Sequence, residues 1–304
     1  MLMGNLPNLI IAGVNKAGTT SLYSYLSTHS DICPSSIKET CHFLPLRYGE
    51  TLPPFEDYMK LFGHWTGQQY LMEATPGYFY GGKNVAKGIR ESLGNPRIVF
   101  LFRNPSERAF SFFRSLKGKT LLPSEMTFGE YIKKCDERLS SGELFDRRQD
   151  HFFRGPLDGF YINYLNDWYD YFGDSIRVLF FEHLRSDPLR FMIELCKWLD
   201  IDHETYTSNN FAIENRTIHY KYKWMHQSAI ATNKFLEKQL RRHIKLKQII
   251  RKFYFRINES QNGDSMQHTE REYLDAMYYE HNQKLRSSLL EKGYSNFPAW
   301  LSDK

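Results

Sequence analysis

Two short segments carry residue types and spacings that could do chemistry. The first runs Asn8-Leu-Ile-Ile-Ala-Gly-Val-Asn-Lys-Ala-Gly-Thr-Thr-Ser-Leu22. Its apolar stretch Leu9–Val14 predicts a buried strand, followed by a loop bounded by Gly13 and Gly18 and a helix opening near Thr19. Backbone N–H groups and a helix N-terminus in that order surround an anion, as in phosphate-binding loops. The Gly13-x4-Gly18 spacing matches half of the pattern of nucleotide-triphosphate loops. The other half is broken, because Thr19 stands where that loop needs Lys, and the loop's lysine is Lys16. The expected ligand is a phosphate, but not the β/γ pair of ATP. The second segment is Arg97-Ile-Val-Phe-Leu-Phe-Arg-Asn-Pro-Ser-Glu-Arg-Ala-Phe-Ser111. A strand ends at Arg103 and a helix begins after Pro105, a favoured first-turn residue. A triphosphatase strand here would end in Asp to hold Mg²⁺. Arginine turns a metal-binding end into an anion-binding end. Ser111 follows a little over two helical turns later, and a guanidinium with a hydroxyl can grip a second phosphate.

These groups need a scaffold that brings strand ends together. Four short apolar runs read as strands: Leu9–Val14, Tyr70–Ala74, Ile98–Arg103 and Ile176–Glu182. Continuous apolar runs of this length, separated by helical patterns, predict parallel strands buried on both faces. Helices are expected over Thr19–Thr28, Lys83–Leu93, Ser106–Leu116, Phe128–Leu139, Phe160–Phe172, Leu189–Leu199 and Glu270–Leu290. The alternation means an α/β chain. Residues 31–69 and 140–158 are expected to be loops that build the substrate cleft. No linker or repeat splits the chain. One domain over 1–304 is expected, with a nucleotide-binding core over about 8–200 and a helical, basic part over about 201–304.

Composition bounds the function. The chain has 304 residues and is 41% hydrophobic and 25% charged, the profile of an ordinary globular protein. The four cysteines, Cys33, Cys41, Cys135 and Cys196, have neither CxxC spacing nor a histidine at metal spacing. They fit neither a zinc site nor a disulfide framework, and a reducing compartment is the simpler expectation. No run of 18 apolar residues exists and no signal-peptide pattern opens the chain, so the expected location is cytoplasmic. Residues 234–256 hold nine Lys or Arg and one Glu against a whole-chain net charge of +5. Two readings stay open for that stretch: a helix packed on the sheet with a solvated basic face, or a contact for an anionic membrane, a polyanion or an acidic carrier. The second would make the protein peripheral to the membrane. Nucleic acid is not expected, since no nucleic-acid motif accompanies the charge.

Lys16-Ala-Gly-Thr-Thr-Ser21 resembles the 5′-phosphosulfate loop of the sulfotransferases that use 3′-phosphoadenosine-5′-phosphosulfate (PAPS), and Arg103-Asn-Pro-Ser-Glu-Arg-Ala-Phe-Ser111 resembles their 3′-phosphate segment. Three further segments are similar to the branch of heparan sulfate N- and 3-O-sulfotransferases and their bacterial relatives. They are Lys38-Glu-Thr-Cys-His-Phe43, Glu73-Ala-Thr-Pro-Gly-Tyr-Phe79, and Leu179-Phe-Phe-Glu182 with Asp187-Pro188. The resemblance implies a P-loop-like, three-layer α/β fold with a central parallel sheet flanked by helices. It implies sulfuryl transfer from PAPS to a hydroxyl, with an amine less favoured, of a saccharide, glycolipid or carrier-bound metabolite. The product would be adenosine 3′,5′-bisphosphate, and no metal is implied.

Residue by residue, the resemblance makes Lys16 the ligand of the 5′-phosphate and the group that stabilises the leaving oxygen. Ala17, Gly18, Thr19, Thr20 and Ser21 line the same phosphate. Arg103 and Ser111 take the 3′-phosphate, and a late 3′-phosphate loop is placed near Arg216. Glu39 matches the base. Two positions depart from the pattern: Cys41 stands where relatives have His, with His42 one residue later as an alternative base or orienting partner, and Ala74 replaces a lysine. The loss of that cation weakens a transfer of heparan sulfate specificity. Two rivals remain on the residues alone. One is a Mg²⁺-dependent nucleotide kinase or NTPase with a degenerate loop, for which Glu73 is the strand-end carboxylate; the other is a non-catalytic nucleotide-binding protein. Tyrosine sulfation of proteins is disfavoured, because no export signal is seen.

Overall fold

The computed structural model describes residues 6–142, 147–207 and 264–302, with Phe211 and the backbone of 219–220 and 259–260. Five parallel strands form the central sheet: β1 (Leu9–Gly13), β2 (Ile32–Pro34), β3 (Tyr70–Ala74), β4 (Arg97–Phe102) and β5 (Ile176–Phe180). Their order is β2-β3-β1-β4-β5. Pairs such as Ile10 with Ile98 and Ile11 with Val99 fix the register of β1 on β4. Every residue of β1 and β3 is buried, which is why these strands read as apolar runs, broken in β3 only by Glu73. Helices flank the sheet in a three-layer α/β arrangement, as expected. The outermost strand, Ile32–Pro34, lies inside a stretch expected to be loop. Three residues with a proline are too short to show a period. A two-strand antiparallel pair, β6 (His219–Tyr220) and β7 (Glu259–Ser260), stands apart from the sheet.

Nine helices are described: α1 (Thr19–Leu26), α2 (Phe55–Lys60), α3 (Gly82–Leu93), α4 (Pro105–Gly118), α5 (Phe128–Ser140), α6 (Ile162–Phe172), α7 (Phe181–Ser186), α8 (Pro188–Leu199) and α9 (His268–Glu291). Seven match expected helical patterns. The fourth expected strand was drawn through Glu182, but the chain turns into α7 at Phe181. Local chemistry sets several boundaries. Asn104 caps α4 by accepting from the Glu107 N–H at 3.0 Å, with Pro105 next in line. Asp187 and Pro188 start α8 the same way. Thr127 and Glu130 form a reciprocal capping box on α5. In α3, Val85, Ala86, Ile89 and Leu93 are buried on one stripe while Lys83, Lys87 and Glu91 stay outside.

The sheet and its covering helices share the main core, and α4, α5 and α9 enclose a second cluster around Phe113, Phe128, Tyr131 and Tyr278. Burying each such aromatic or branched side chain stabilises the fold by roughly 1.5–3 kcal/mol. Polar ties lock α9 onto α4: the Ser106 hydroxyl donates to Asp275 at 2.6 Å, and Arg271 reaches Glu107. No described helix is long and apolar enough to cross a membrane. The four cysteines are free thiols.

Candidate active site

The strand order determines where a ligand can sit. The chain leaves β1 toward β2 on one side and leaves β4 toward β5 on the other. The crevice between the C-terminal ends of β1 and β4 is therefore a topological switch point, the usual binding place in open parallel sheets. Lys16 follows β1 and Arg103 follows β4, so the two cations expected to bind phosphate flank that crevice.

The loop after β1 has an anion-binding backbone. Lys16 and Gly18 both adopt left-handed conformations, with φ of 68° and 91°. Helix α1 makes its first internal bond from the Leu22 N–H to the Gly18 carbonyl, so the amides of Thr19, Thr20 and Ser21 precede its ladder. Those amides and the positive end of α1 are free to meet an anion. Position 18 must be glycine for two reasons. Its φ is positive, and a Cβ there would lie 2.7 Å from Phe181 Cδ2. Ala17 and Thr19 are buried, whereas Thr20 and Ser21 are half-buried.

Arg103 is fixed before any ligand arrives. Its Nη1 donates to the Lys16 carbonyl at 3.1 Å, its guanidinium lies 4.8 Å from the Phe181 ring centroid, and Nη2 is 3.6 Å from Glu107. Its own carbonyl accepts from the Tyr161 hydroxyl at 2.8 Å. Behind it, Glu182 accepts from the Asn104 N–H at 2.9 Å and joins β4 to α7. Burial lowers the guanidinium pKa from its usual range, and Glu107 and Glu182 hold it up. Ser111 lies on α4 at helical spacing from Glu107 and Arg114, so the three share one face. Burial and then the Lys119, Arg103 and Arg114 cations lower the Lys16 ammonium to about 8, while Glu39 raises it. Lys16 thus lies in the field of three further cations, which favours an anion beside it. Nothing local in the sequence marks Arg114 and Lys119 as charges that bear on Lys16.

The acidic partner comes from the other side of the sheet. Glu39 follows β2, its side chain is 58% exposed, and it meets Lys38 Nζ at 3.1 Å. Glu39 and Cys41 both have positive φ, 64° and 56°. The Glu39 N–H donates to the Ala74 carbonyl at 3.0 Å, which docks this loop on the end of β3. Cys41 is half-buried, and burial followed by the nearby Glu39 and Glu73 charges raises its thiol to about 11. His42 is buried, stacked on Tyr58 at 4.5 Å between ring centroids and edge-on to Phe43 and Phe55. Burial lowers its pKa, which favours the neutral ring. Glu73, the carboxylate a kinase would turn toward a metal, is fully buried with hydroxyl donors on both oxygens. Arg216 and the basic stretch 234–256 lie outside the described residues.

Comparison with known proteins places the chain among the sulfotransferases. The bifunctional heparan sulfate N-deacetylase/N-sulfotransferase 1 of Caenorhabditis briggsae is 27% identical over 206 residues, covering 65% of this chain and 23% of that protein. The mouse N-deacetylase/N-sulfotransferase 4 is 24% identical over 303 residues, covering 98% of this chain and 31% of its own length. The chain therefore spans about a quarter to a third of these relatives. A solved sulfotransferase from Alicyclobacillus acidocaldarius superposes with a TM-score of 0.67 at 20% identity, over 98% of this chain and 99% of that one. The sulfotransferase domain model matches residues 6–286, which include all five strands and every group that meets at the crevice, and the chain is thereby a member of the sulfotransferase family.

Proposed function

We propose that this sulfotransferase takes its sulfuryl group from PAPS and delivers it to a hydroxyl or amine of a saccharide. The supporting observation is that Lys16 and Arg103 follow the neighbouring strands β1 and β4, with Arg103 bonding the Lys16 carbonyl at 3.1 Å; Glu39 follows β2, and its loop docks on the end of β3 next to β1. The heparan sulfate relatives support a saccharide acceptor. The loop amides with Thr19, Thr20 and Ser21 grip the 5′-phosphate, and Arg103 with Ser111 holds the 3′-phosphate. Glu39 accepts the acceptor's proton as its oxygen or nitrogen bonds to sulfur. The S–O bond to the 5′-phosphate breaks in the same displacement, and protonated Lys16 neutralises the oxygen that leaves. The chain's contribution is positioning and charge stabilisation. His42, enclosed by aromatic rings, supports the loop that carries Glu39 rather than taking the proton.

The test has two arms. Calorimetry should show metal-independent binding of adenosine 3′,5′-bisphosphate well above that of AMP and of Mg-ATP; a preference for Mg-ATP would refute the donor assignment. Glu39→Gln should leave bisphosphate affinity within about twofold and cut transfer from PAPS to hexosamine oligosaccharides by about 10²–10⁴-fold, the scale of a lost general base. Near wild-type turnover in that variant would remove Glu39 from the chemistry.

A further inference from the structure

A carboxylate has no obvious place in the main core, yet Glu73 sits there, fully buried at the end of β3. A buried charge is costly unless every lone pair is used, and an apolar residue of similar size would serve stability as well. Glu73 does use its lone pairs. Oε1 accepts from the Tyr58 hydroxyl at 3.0 Å. Oε2 accepts from the Thr40 hydroxyl in a short contact, and from the Thr75 and Tyr78 hydroxyls at 3.4 Å each.

These hydroxyls have a second task. Thr75 Oγ1 accepts from the Cys41 N–H at 3.2 Å, and the Tyr78 hydroxyl accepts from the Phe43 N–H at 3.1 Å. Thr40 Oγ1 receives the His42 N–H at 3.4 Å, and the Tyr58 ring carries the His42 ring. A hydroxyl has one proton to give. Because an ionised carboxylate only accepts, it accepts a hydrogen bond from each hydroxyl and leaves the hydroxyl lone pairs turned toward the amides of residues 41–43. Without that direction, the left-handed conformations of Glu39 and Cys41 lose their support.

We propose that Glu73 is a positioning residue for Glu39: its buried carboxylate orients Thr40, Thr75 and Tyr78, and these hold residues 39–43 in the conformation that presents the Glu39 side chain to the crevice. The inference rests on Glu39 as the base, and it assigns a role to a side chain that touches no substrate. Burial raises the Glu73 carboxyl to about 7, and the hydroxyl donors oppose that rise, so the ionised form prevails at pH 8.

The test uses Glu73→Gln, Glu39→Gln and the double variant at pH 8. Glutamine keeps the shape but brings its own N–H donors against hydroxyls that already donate into the site. Amide hydrogen exchange should rise about tenfold or more over residues 38–44, the scale of one lost buried hydrogen bond, while residues 9–20 stay protected. Affinity for adenosine 3′,5′-bisphosphate should stay within about twofold, and transfer from PAPS to hexosamine oligosaccharides should fall about 10–100-fold through kcat. In the Glu39→Gln background, Glu73→Gln should cost less than about twofold more, since residues that act as one unit are not additive. Unchanged exchange over 38–44, or an equal loss in both backgrounds, would overturn the proposal. Wild-type turnover in Glu39→Gln would instead overturn the base assignment, and the exchange result would still decide whether Glu73 braces the loop. Should Glu73→Gln not fold, Tyr78→Phe and Thr75→Val each remove one link, and unaltered exchange over 38–44 in both would refute the brace.

Discussion

Replacing Arg103 with alanine should separate the two phosphates of the nucleotide. In the structure the side chain is 19% exposed and already held by the Lys16 carbonyl, the Phe181 ring and Glu107. It therefore meets a phosphate with little of the roughly 2 kcal/mol of rotamer entropy that a free arginine loses. A hydrogen bond to a charged partner contributes about 1.5–3 kcal/mol, and the guanidinium fork can make two. Allowing for water filling the vacated space, the loss for adenosine 3′,5′-bisphosphate is about 3–4 kcal/mol, or roughly 10²–10³-fold in Kd. AMP lacks the 3′-phosphate, so its affinity should change by less than about threefold. Arg103→Lys keeps the charge without the fork, so its loss should fall between the two. The assay is calorimetry of both nucleotides at about 0.15 M salt, where exposed charges are screened and the crevice contacts are not. Equal losses for AMP and the bisphosphate, or a loss below about tenfold for the bisphosphate, would refute the assignment of Arg103 to the 3′-phosphate.

Affinity for the bisphosphate should depend on pH through Lys16. Its ammonium in the free protein loses its proton near pH 8, and only the protonated form pairs with a phosphate. Affinity should therefore hold from pH 6.5 to 7.5 and fall by up to about tenfold per unit above 8, and Lys16→Met should remove that slope; a flat wild-type profile to pH 9.5 would contradict it. Gly18→Ala puts a Cβ 2.7 Å from Phe181 at a φ of 91°. The left-handed backbone alone costs about 1–2 kcal/mol, so the melting temperature should drop by several degrees and bisphosphate affinity should weaken; an unchanged melting curve would mean that the loop does not need this conformation.

Much of the scaffold was legible along the chain because its signals are local. The strands β1, β3 and β4 announce themselves as mostly apolar runs, with only Glu73 and the leading Arg97 interrupting them, and Asn104-Pro105 and Asp187-Pro188 announce the helices they start. Where the signal was short, the sequence misled. Ile32–Pro34 was hidden in a loop-rich stretch, and an apolar Phe-Phe pair drew β5 past its end into α7. Arg114 and Lys119 carry no local mark of their charge effect on Lys16, and nothing around Glu73, the strand-end carboxylate of the kinase alternative, reveals the hydroxyls that enclose it.

The sequence by itself determined which candidate groups this protein has and which local frames hold them: a glycine-bounded loop with Lys16, a capped helix behind Arg103, and a carboxylate at position 39. These depend on backbone conformation, capping and periodicity within a few residues of each group. Tertiary structure decided which of them meet. The order β2-β3-β1-β4-β5 brings Arg103 beside the Lys16 loop, sets the Glu39 loop on the end of β3, and encloses His42 among aromatic rings. That choice comes from strand pairing and shared burial between segments as far apart in the chain as Leu9 and Arg97, and no local pattern encodes it.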